Sequence, residues 1–247
     1  ARGGIVIRSD DFNPERIQID DTLIGTNSMP TANVGDVGQT LFGIVGYDFG
    51  NFEVLVDAVP VFASEGITKE VTTLVATPDR LTVASYNVEN LDPNDGAAQF
   101  NTLAAQIVDN LKSPDIIAAI EVQDNNGPVN DSTVDASATL NTLVSAIAAA
   151  GGPTYQFRQI NPVDDQDGGE PGGNIRVAFL FNPARVSFVD RVGGTPTASN
   201  VVVDVAGKPQ LQYSPGRLNP TNPAFNASRK PLAGEFVFNG NRLLVIA

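Results

Sequence analysis

The chain of 247 residues contains no cysteine and no histidine. The missing cysteine excludes a disulfide framework, a thiolate metal site and a cysteine nucleophile. The missing histidine excludes a Ser-His-Asp triad and a histidine-ligated zinc within these residues. Neither absence argues against secretion, because a domain of this size buries enough surface to fold without disulfides.

Basic residues are also scarce: 15 Lys and Arg stand against 28 Asp and Glu, a net charge of −13. A protein that binds nucleic acid through the electrostatic field of its net charge is expected to be basic. The acidic charge therefore indicates either solubility, which composition alone favours, or divalent cations that mediate contact with an anionic substrate. No apolar run is long enough for a membrane-spanning helix, and no protein partner is evident.

The chain divides into three stretches that differ in predicted secondary structure. Residues 1–60 predict an all-β module with short strands at 4–8, 40–45 and 52–57, separated by turn clusters, which is typical of a small barrel or sandwich. Residues 61–80 predict a connector. From residue 81 onward, strands and helices alternate.

This third stretch, residues 81–247, predicts layered sheets covered by helices, an α+β arrangement. Apolar residues at helical spacing predict helices at 97–111 and 136–150. Strands are predicted at 81–87, 115–121, 155–160, 175–181, 231–238 and 243–246. The nearly continuous apolar run at 116–120 indicates a strand with both faces covered.

Polar residues end two of these strands, at Asn87 and Glu121. A carboxylate that directly follows an apolar strand is unfavourable if buried without a partner, and a hard cation such as Mg²⁺ is a natural one. Alternatively, Glu121 is the first solvated residue after its strand and Asn87 a turn residue. Their equivalent positions on consecutive strands favour the functional interpretation.

Four segments resemble, in order, motifs of the endonuclease/exonuclease/phosphatase superfamily, in particular its deoxyribonuclease I-like members. They are SYNVENL at 85–91, PDIIAAIEVQD at 114–124, NIRVAFLFNP at 174–183 and RKPLAGEF at 229–236. The resemblance covers residues 81–247 and implies a four-layer α/β sandwich of the deoxyribonuclease I-like type.

The resemblance also implies roles for individual residues. Glu121 would coordinate a catalytic Mg²⁺, or Mn²⁺ or Ca²⁺, and Asn87 would help to position the metal or the scissile phosphate. Arg229 would pair with the phosphate, although a solvated strand-edge charge is an equally good interpretation. Arg176 and Tyr155 are weaker candidates for phosphate binding, and packing or capping is the favoured interpretation of both.

The mechanism implied is metal-assisted in-line attack of water on a phosphodiester. The superfamily uses a histidine paired with an aspartate and a further Asp-Asn pair, and none of these is found in this sequence. A histidine typically follows a strand such as 243–246. We therefore expect the 247-residue chain to be inactive by itself, with a sheet edge left exposed.

A narrower resemblance concerns residues 10–21, 34–37 and 45–50. They are similar to the OB-fold-like module that precedes the nuclease domain in large extracellular bacterial nucleases, which implies secretion from a bacterium. OB folds bind single strands through aromatic and basic residues. Because basic residues are sparse here, the favoured interpretation is that the aromatic side chains fill a barrel core; they are Phe42, Tyr47, Phe49 and Phe52.

These observations predict a secreted, metal-dependent nuclease that hydrolyses DNA, or RNA as well, with nucleic acid as its partner. One alternative keeps the fold and changes the substrate to that of a phosphatase or a sphingomyelinase-type phosphodiesterase. The other alternative is a non-catalytic extracellular binding or adhesion protein.

Overall fold

The structure is a computed structural model that describes residue 9 and residues 17–247. The predicted strand at 4–8 and most of the OB-like stretch at 10–21 lie outside the described residues. The chain forms two compact units, Ala1–Lys69 and Glu70–Ala247, and the predicted connector 61–80 spans the division. In the described part of the chain, no helix has the length and apolar character needed to cross a membrane.

The first unit contains two small sheets. Strand β1 (Gln18–Asp20) lies parallel to β4 (Asn51–Val56), which pairs antiparallel with β3 (Gly43–Asp48). Strands β2 (Val37–Gly38) and β5 (Phe62–Ala63) form a separate antiparallel pair. Between residues 17 and 69 these strands do not close into the predicted barrel.

The interpretation of the four aromatic residues as barrel core is wrong, because each of them is more than half exposed. Tyr47 and Phe52 are paired across β3 and β4, and their rings pack edge to face with centroids 5.0 Å apart. Phe49 lies in the two-residue turn between these strands, where it and Gly50 both have positive φ. This turn suits the twist of a hairpin and leaves the Phe49 ring in solvent.

The second unit is built on a four-stranded sheet, called here the central sheet. Its strands are β6 (Val83–Leu91), β7 (Ile116–Val122), β8 (Gln156–Gln159) and β9 (Arg176–Phe181), in the order β6-β7-β9-β8. Strand β6 is parallel to β7, whereas β9 is antiparallel to both β7 and β8. The apolar β7 and β9 occupy the middle, where both faces are covered.

A second sheet faces the central one. It joins β10 (Ser187–Phe188), β13 (Gly216–Arg217), β14 (Leu232–Phe238) and β15 (Asn241–Ile246), with β14 at its centre. Strands β11 (Val202–Val205) and β12 (Lys208–Leu211) form a separate hairpin. Aromatic rings fill the space between the two sheets, and Phe236 packs edge to face with three of them: Phe179, Phe181 and Phe188.

Two helices cover the other face of the central sheet. Helix α1 (Gly96–Ala105) continues as a π-helical turn (Gln106–Asn110), and α2 is Ser137–Ala149. Apolar side chains are buried against this face: Phe100 and Leu103 from α1, Ile107 from the π-helical turn, and Leu140, Leu143 and Ile147 from α2. Gly151, with φ of 92°, ends α2 in the left-handed conformation that favours glycine.

The second unit is therefore a mixed α+β fold with a helix layer and two sheets. The predicted four-layer sandwich is only partly seen, since residues 70–247 provide no helix layer on the outer face of the second sheet. On that face, β14 carries the buried Glu235. Its carboxylate forms ion pairs with Arg191 at 2.6 Å and Arg242 at 2.8 Å.

Candidate active site

Two neighbouring strands of the central sheet are interrupted at the same level by backbone bulges. Asn87 pairs with Ile120 and Leu91 pairs with Val122, so three residues of β6 lie opposite Glu121 alone. Glu89, Asn90 and Glu121 have φ values of 57°, 58° and 67°. Non-glycine residues rarely adopt this left-handed conformation, and such strain concentrates at functional sites.

The bulge at Glu121 changes which way β7 presents its side chains. Before it, Ile117 and Ala119 pack in the helix-side core, and Ile116 and Ala118 pack between the sheets. After it, Val122 lies on the helix side, where strict alternation would have placed Glu121. The bulge thus releases Glu121 from a position that would bury its carboxylate among helix-side apolar residues.

Glu121 instead contacts Arg229, which precedes β14 of the second sheet. The Arg229 Nη1 donates a hydrogen bond to Glu121 Oε1 at 2.8 Å, and the two side chains are 37% and 19% exposed. Residues 108 positions apart therefore meet at one edge of the two sheets. Asn87 lies at the same level on β6, and its Oδ1 accepts a hydrogen bond from the backbone N–H of Glu89 at 2.8 Å.

Gln123 connects the two bulges and was not singled out from the sequence. Its side chain is fully buried, and its Nε2 lies 3.4 Å from Asn90 Oδ1. The loop between β8 and β9 passes directly over it: a Cβ on Gly173 would come within 2.7 Å of Gln123 Oε1. The glycine-rich stretch at 168–173 thus allows backbone to approach a buried amide.

Arg176 lies on the helix side of the central sheet, paired in register with Val122. It is 1% exposed, and its guanidinium donates hydrogen bonds to the carbonyls of Val134 and Asn174, both at 2.6 Å, and to the side chains of Gln159 and Asn161. Burial lowers the pKa of Arg176 to about 10. Its hydrogen bonds connect the loop before α2 with the loop between β8 and β9. Arg176 is therefore not brought to the Glu121–Arg229 pair.

Tyr155 lies at the opposite end of β7 from Glu121. Its buried hydroxyl donates to the carbonyl oxygen of Pro114, two residues before that strand begins. At about 3.3 Å per residue, the length of β7 separates the hydroxyl from the site. Burial and the nearby Asp115 raise the pKa of Tyr155. The structure thus places Tyr155 and Arg176 in packing and capping positions. It pairs Glu121 with Arg229 and places Asn87 at the same level on the neighbouring strand.

A buried group of charges lies directly beside Arg229. Asp167 forms an ion pair with Arg217 at 2.7 Å, and its other oxygen is 3.4 Å from the Lys230 Nζ. The same Nζ donates to the carbonyls of Phe225, Ser228 and Gln166. Burial lowers the pKa of Arg217, and the charge of Asp167 opposes this effect. These contacts fix the segment that carries Arg229.

Glu121 and Asn87 would offer a metal one carboxylate and one amide oxygen. Across residue 9 and residues 17–247, no group of three or more Asp, Glu, His or Cys side chains is placed to hold an ion. Mg²⁺ is usually held by one or two carboxylates together with water and substrate phosphate. With only these two protein ligands, a magnesium ion here would take its remaining ligands from water and substrate phosphate.

Comparison with known protein families gives a match within the first unit. A family described as Domain of unknown function (DUF8508) matches residues 1–64. No curated protein matches the chain.

Solved structures resemble about two thirds of the chain at low identity. They include humanized D. rerio TDP2 with 14 mutations (17% identity, TM-score 0.34) and D. rerio TDP2 complexed with single strand DNA product (15%, 0.33). A third is the beta hairpin deletion mutant of beta toxin from Staphylococcus aureus (14%, 0.31). The similar regions cover 67%, 67% and 68% of this chain and 45%, 44% and 50% of those chains.

Proposed function

We propose that this chain provides the metal- and phosphate-binding residues of a metal-dependent phosphodiesterase that hydrolyses DNA, or RNA as well. The observation that carries the proposal is the strained Glu121, which is turned out of the helix-side core to meet Arg229. A left-handed backbone at a residue other than glycine is strained, and such strain concentrates at functional sites. The resemblance to extracellular bacterial nucleases extends the proposal to secretion.

In this proposal, Glu121 and Asn87 hold a divalent cation, Mg²⁺ or else Mn²⁺ or Ca²⁺, that stabilises charge on the phosphate. Arg229 binds the same phosphate through its planar fork, which suits two oxygens. The Glu121–Arg229 pair is partly exposed and joined by a single hydrogen bond, so its own stabilisation is small. Arg229 can therefore leave Glu121 for a phosphate at little cost.

The metal role is tested by Mn²⁺ binding to the 247-residue chain, measured by electron paramagnetic resonance. We expect Glu121→Gln to abolish binding, because the amide removes the negative charge and keeps the shape. The matched control is Asp190→Asn, which removes another exposed carboxylate paired with an arginine, Arg158 at 2.7 Å. Equal Mn²⁺ affinity in wild type and Glu121→Gln would refute the site and would favour a non-catalytic binding protein.

The activity is tested by plasmid nicking with the protein expressed from its full gene. We expect EDTA to stop nicking, and Arg229→Ala to lower the rate by about a hundredfold or more, as for other lost transition-state contacts. Asp190→Asn again serves as the control. Hydrolysis of sphingomyelin or a phosphate monoester without plasmid nicking would instead assign the site to another substrate.

A further inference from the structure

A cavity of about 470 Å³ opens beside the segment that carries Arg229. We call it the loop cavity; its lining includes Val163, Pro196, Pro220, Thr221, Ala227 and Lys230. Lys230 directly follows Arg229 in the chain. The volume falls within the range of cavities that enclose small organic ligands.

The topology places the loop cavity at the same end of the sheets as Glu121. One wall comes from the loop that joins β8 to β9. Arg176 is the first residue of β9, and it is paired with Val122 of β7. Another comes from the loop that follows β13, where Arg217 is paired with Leu232, the first residue of β14. Both loops therefore emerge where the candidate active site lies.

The cavity has a rigid, charge-compensated floor. The Lys230 ammonium is already bound to Asp167 and three carbonyl oxygens, so it is not available to bind a phosphate. The two loops also touch, since a Cβ on Gly168 would overlap the carbonyl oxygen of Ala227. The space is thus formed before any ligand enters, which favours a preorganised binding site.

The lining combines apolar and polar groups. Val163, Pro196, Pro220 and Ala227 provide apolar surface, and the polar side chains are those of Gln166, Asp167, Thr197, Thr221, Asn226 and Lys230. Ligand sites typically combine such walls with a few polar groups. A nucleoside presents rings together with hydrogen-bonding groups, which a mixed lining of this kind can contact.

We propose that the loop cavity binds the nucleoside next to the phosphate held by Arg229. The inference rests on the proposed phosphodiesterase function and adds a binding site for the nucleoside part of its substrate. A nucleic acid presents a base and sugar beside each phosphate. A cavity beside Arg229 gives the nucleoside a binding site separate from the residues that hold the phosphate.

The test compares thymidine 5′-monophosphate, inorganic phosphate and phosphocholine, each titrated calorimetrically into the 247-residue chain with Mg²⁺. We expect the nucleotide to bind at least tenfold more tightly than phosphate. Thr221→Trp and Val163→Trp fill the cavity from opposite loops and should remove that advantage while phosphate affinity stays unchanged. Thr102→Trp, on the exposed face of α1, is the control and should bind as wild type.

Each other outcome overturns the inference in a distinguishable way. If phosphate binds and the nucleotide binds no more tightly, or if both cavity variants retain the advantage, the cavity is not a nucleoside site and the proposed function stands. Tighter binding of phosphocholine would assign the cavity to a lipid headgroup. If neither phosphate nor nucleotide binds, the phosphate role of Arg229 fails together with the inference.

Discussion

The left-handed conformation of Glu121 predicts that glycine is more stable than alanine at this one position. An L-residue in this conformation costs about 1–2 kcal/mol, whereas glycine adopts it freely. Glycine in turn loses about 0.5–1 kcal/mol through the entropy of the unfolded chain. The net preference for Glu121→Gly over Glu121→Ala is therefore up to about 1.5 kcal/mol. The lost contact with Arg229 is common to both variants and cancels.

Gln156 provides the matched control, because it is exposed on the edge strand β8 and has ordinary extended backbone. There, alanine should be more stable than glycine by about 0.5–1 kcal/mol. The difference in unfolding free energy between the glycine and alanine variants should thus change by about 1–2 kcal/mol from one position to the other. Glycine should be favoured at position 121 and alanine at position 156. Urea unfolding of the four variants in EDTA, followed by circular dichroism, measures this difference directly. An alanine preference at Glu121 equal to that at Gln156 would show that the bulge is not strained.

Three further predictions concern buried polar groups. Asp167→Asn leaves the buried Arg217 without its anion and should lower the free energy of unfolding by about 3–5 kcal/mol; a loss below about 1 kcal/mol in urea would contradict this. Tyr155→Phe leaves the Pro114 carbonyl unpaired and should lower that free energy by about 1–3 kcal/mol, with unchanged Mn²⁺ affinity. Burial would raise the pKa of Glu235, but its hydrogen bonds and cationic neighbours hold the pKa below the ordinary 4.5. The stability from this shift is complete above about pH 4.5 and is lost as pH falls through the lowered pKa, so the melting temperature of Glu235→Gln should vary less between pH 6 and 3.

The sequence predicted the long, periodic elements of the second unit well. Helix α2 was expected at 136–150 and is Ser137–Ala149, and β7 was expected at 115–121 and is Ile116–Val122. These elements have apolar residues at a clear spacing because the core covers them. The short strands β10 to β13 were missed, since so few residues rarely show a period.

The sequence singled out only some of the residues of the candidate site. The positions of Asn87 and Glu121 at strand ends were enough to single them out, and Arg229 came from the resemblance alone. What the pattern could not show is the pair of bulges, because a bulge depends on pairing between strands distant in sequence. Gln123 could have been noticed as a polar residue between Val122 and Asp124, but its burial comes from the loop folded over it.

The central sheet has two ends of different character. At the end away from the site, Asp115 accepts hydrogen bonds from Thr82 and Arg185, and the Arg185 guanidinium also reaches the carbonyls of Thr77 and Arg80. At the other end, the bulges interrupt the ladder around Glu121. We therefore expect a gradient of amide hydrogen exchange along β7, slow at Ile116 and faster at Glu121. Local opening at the site would then not require the rest of the sheet to unfold.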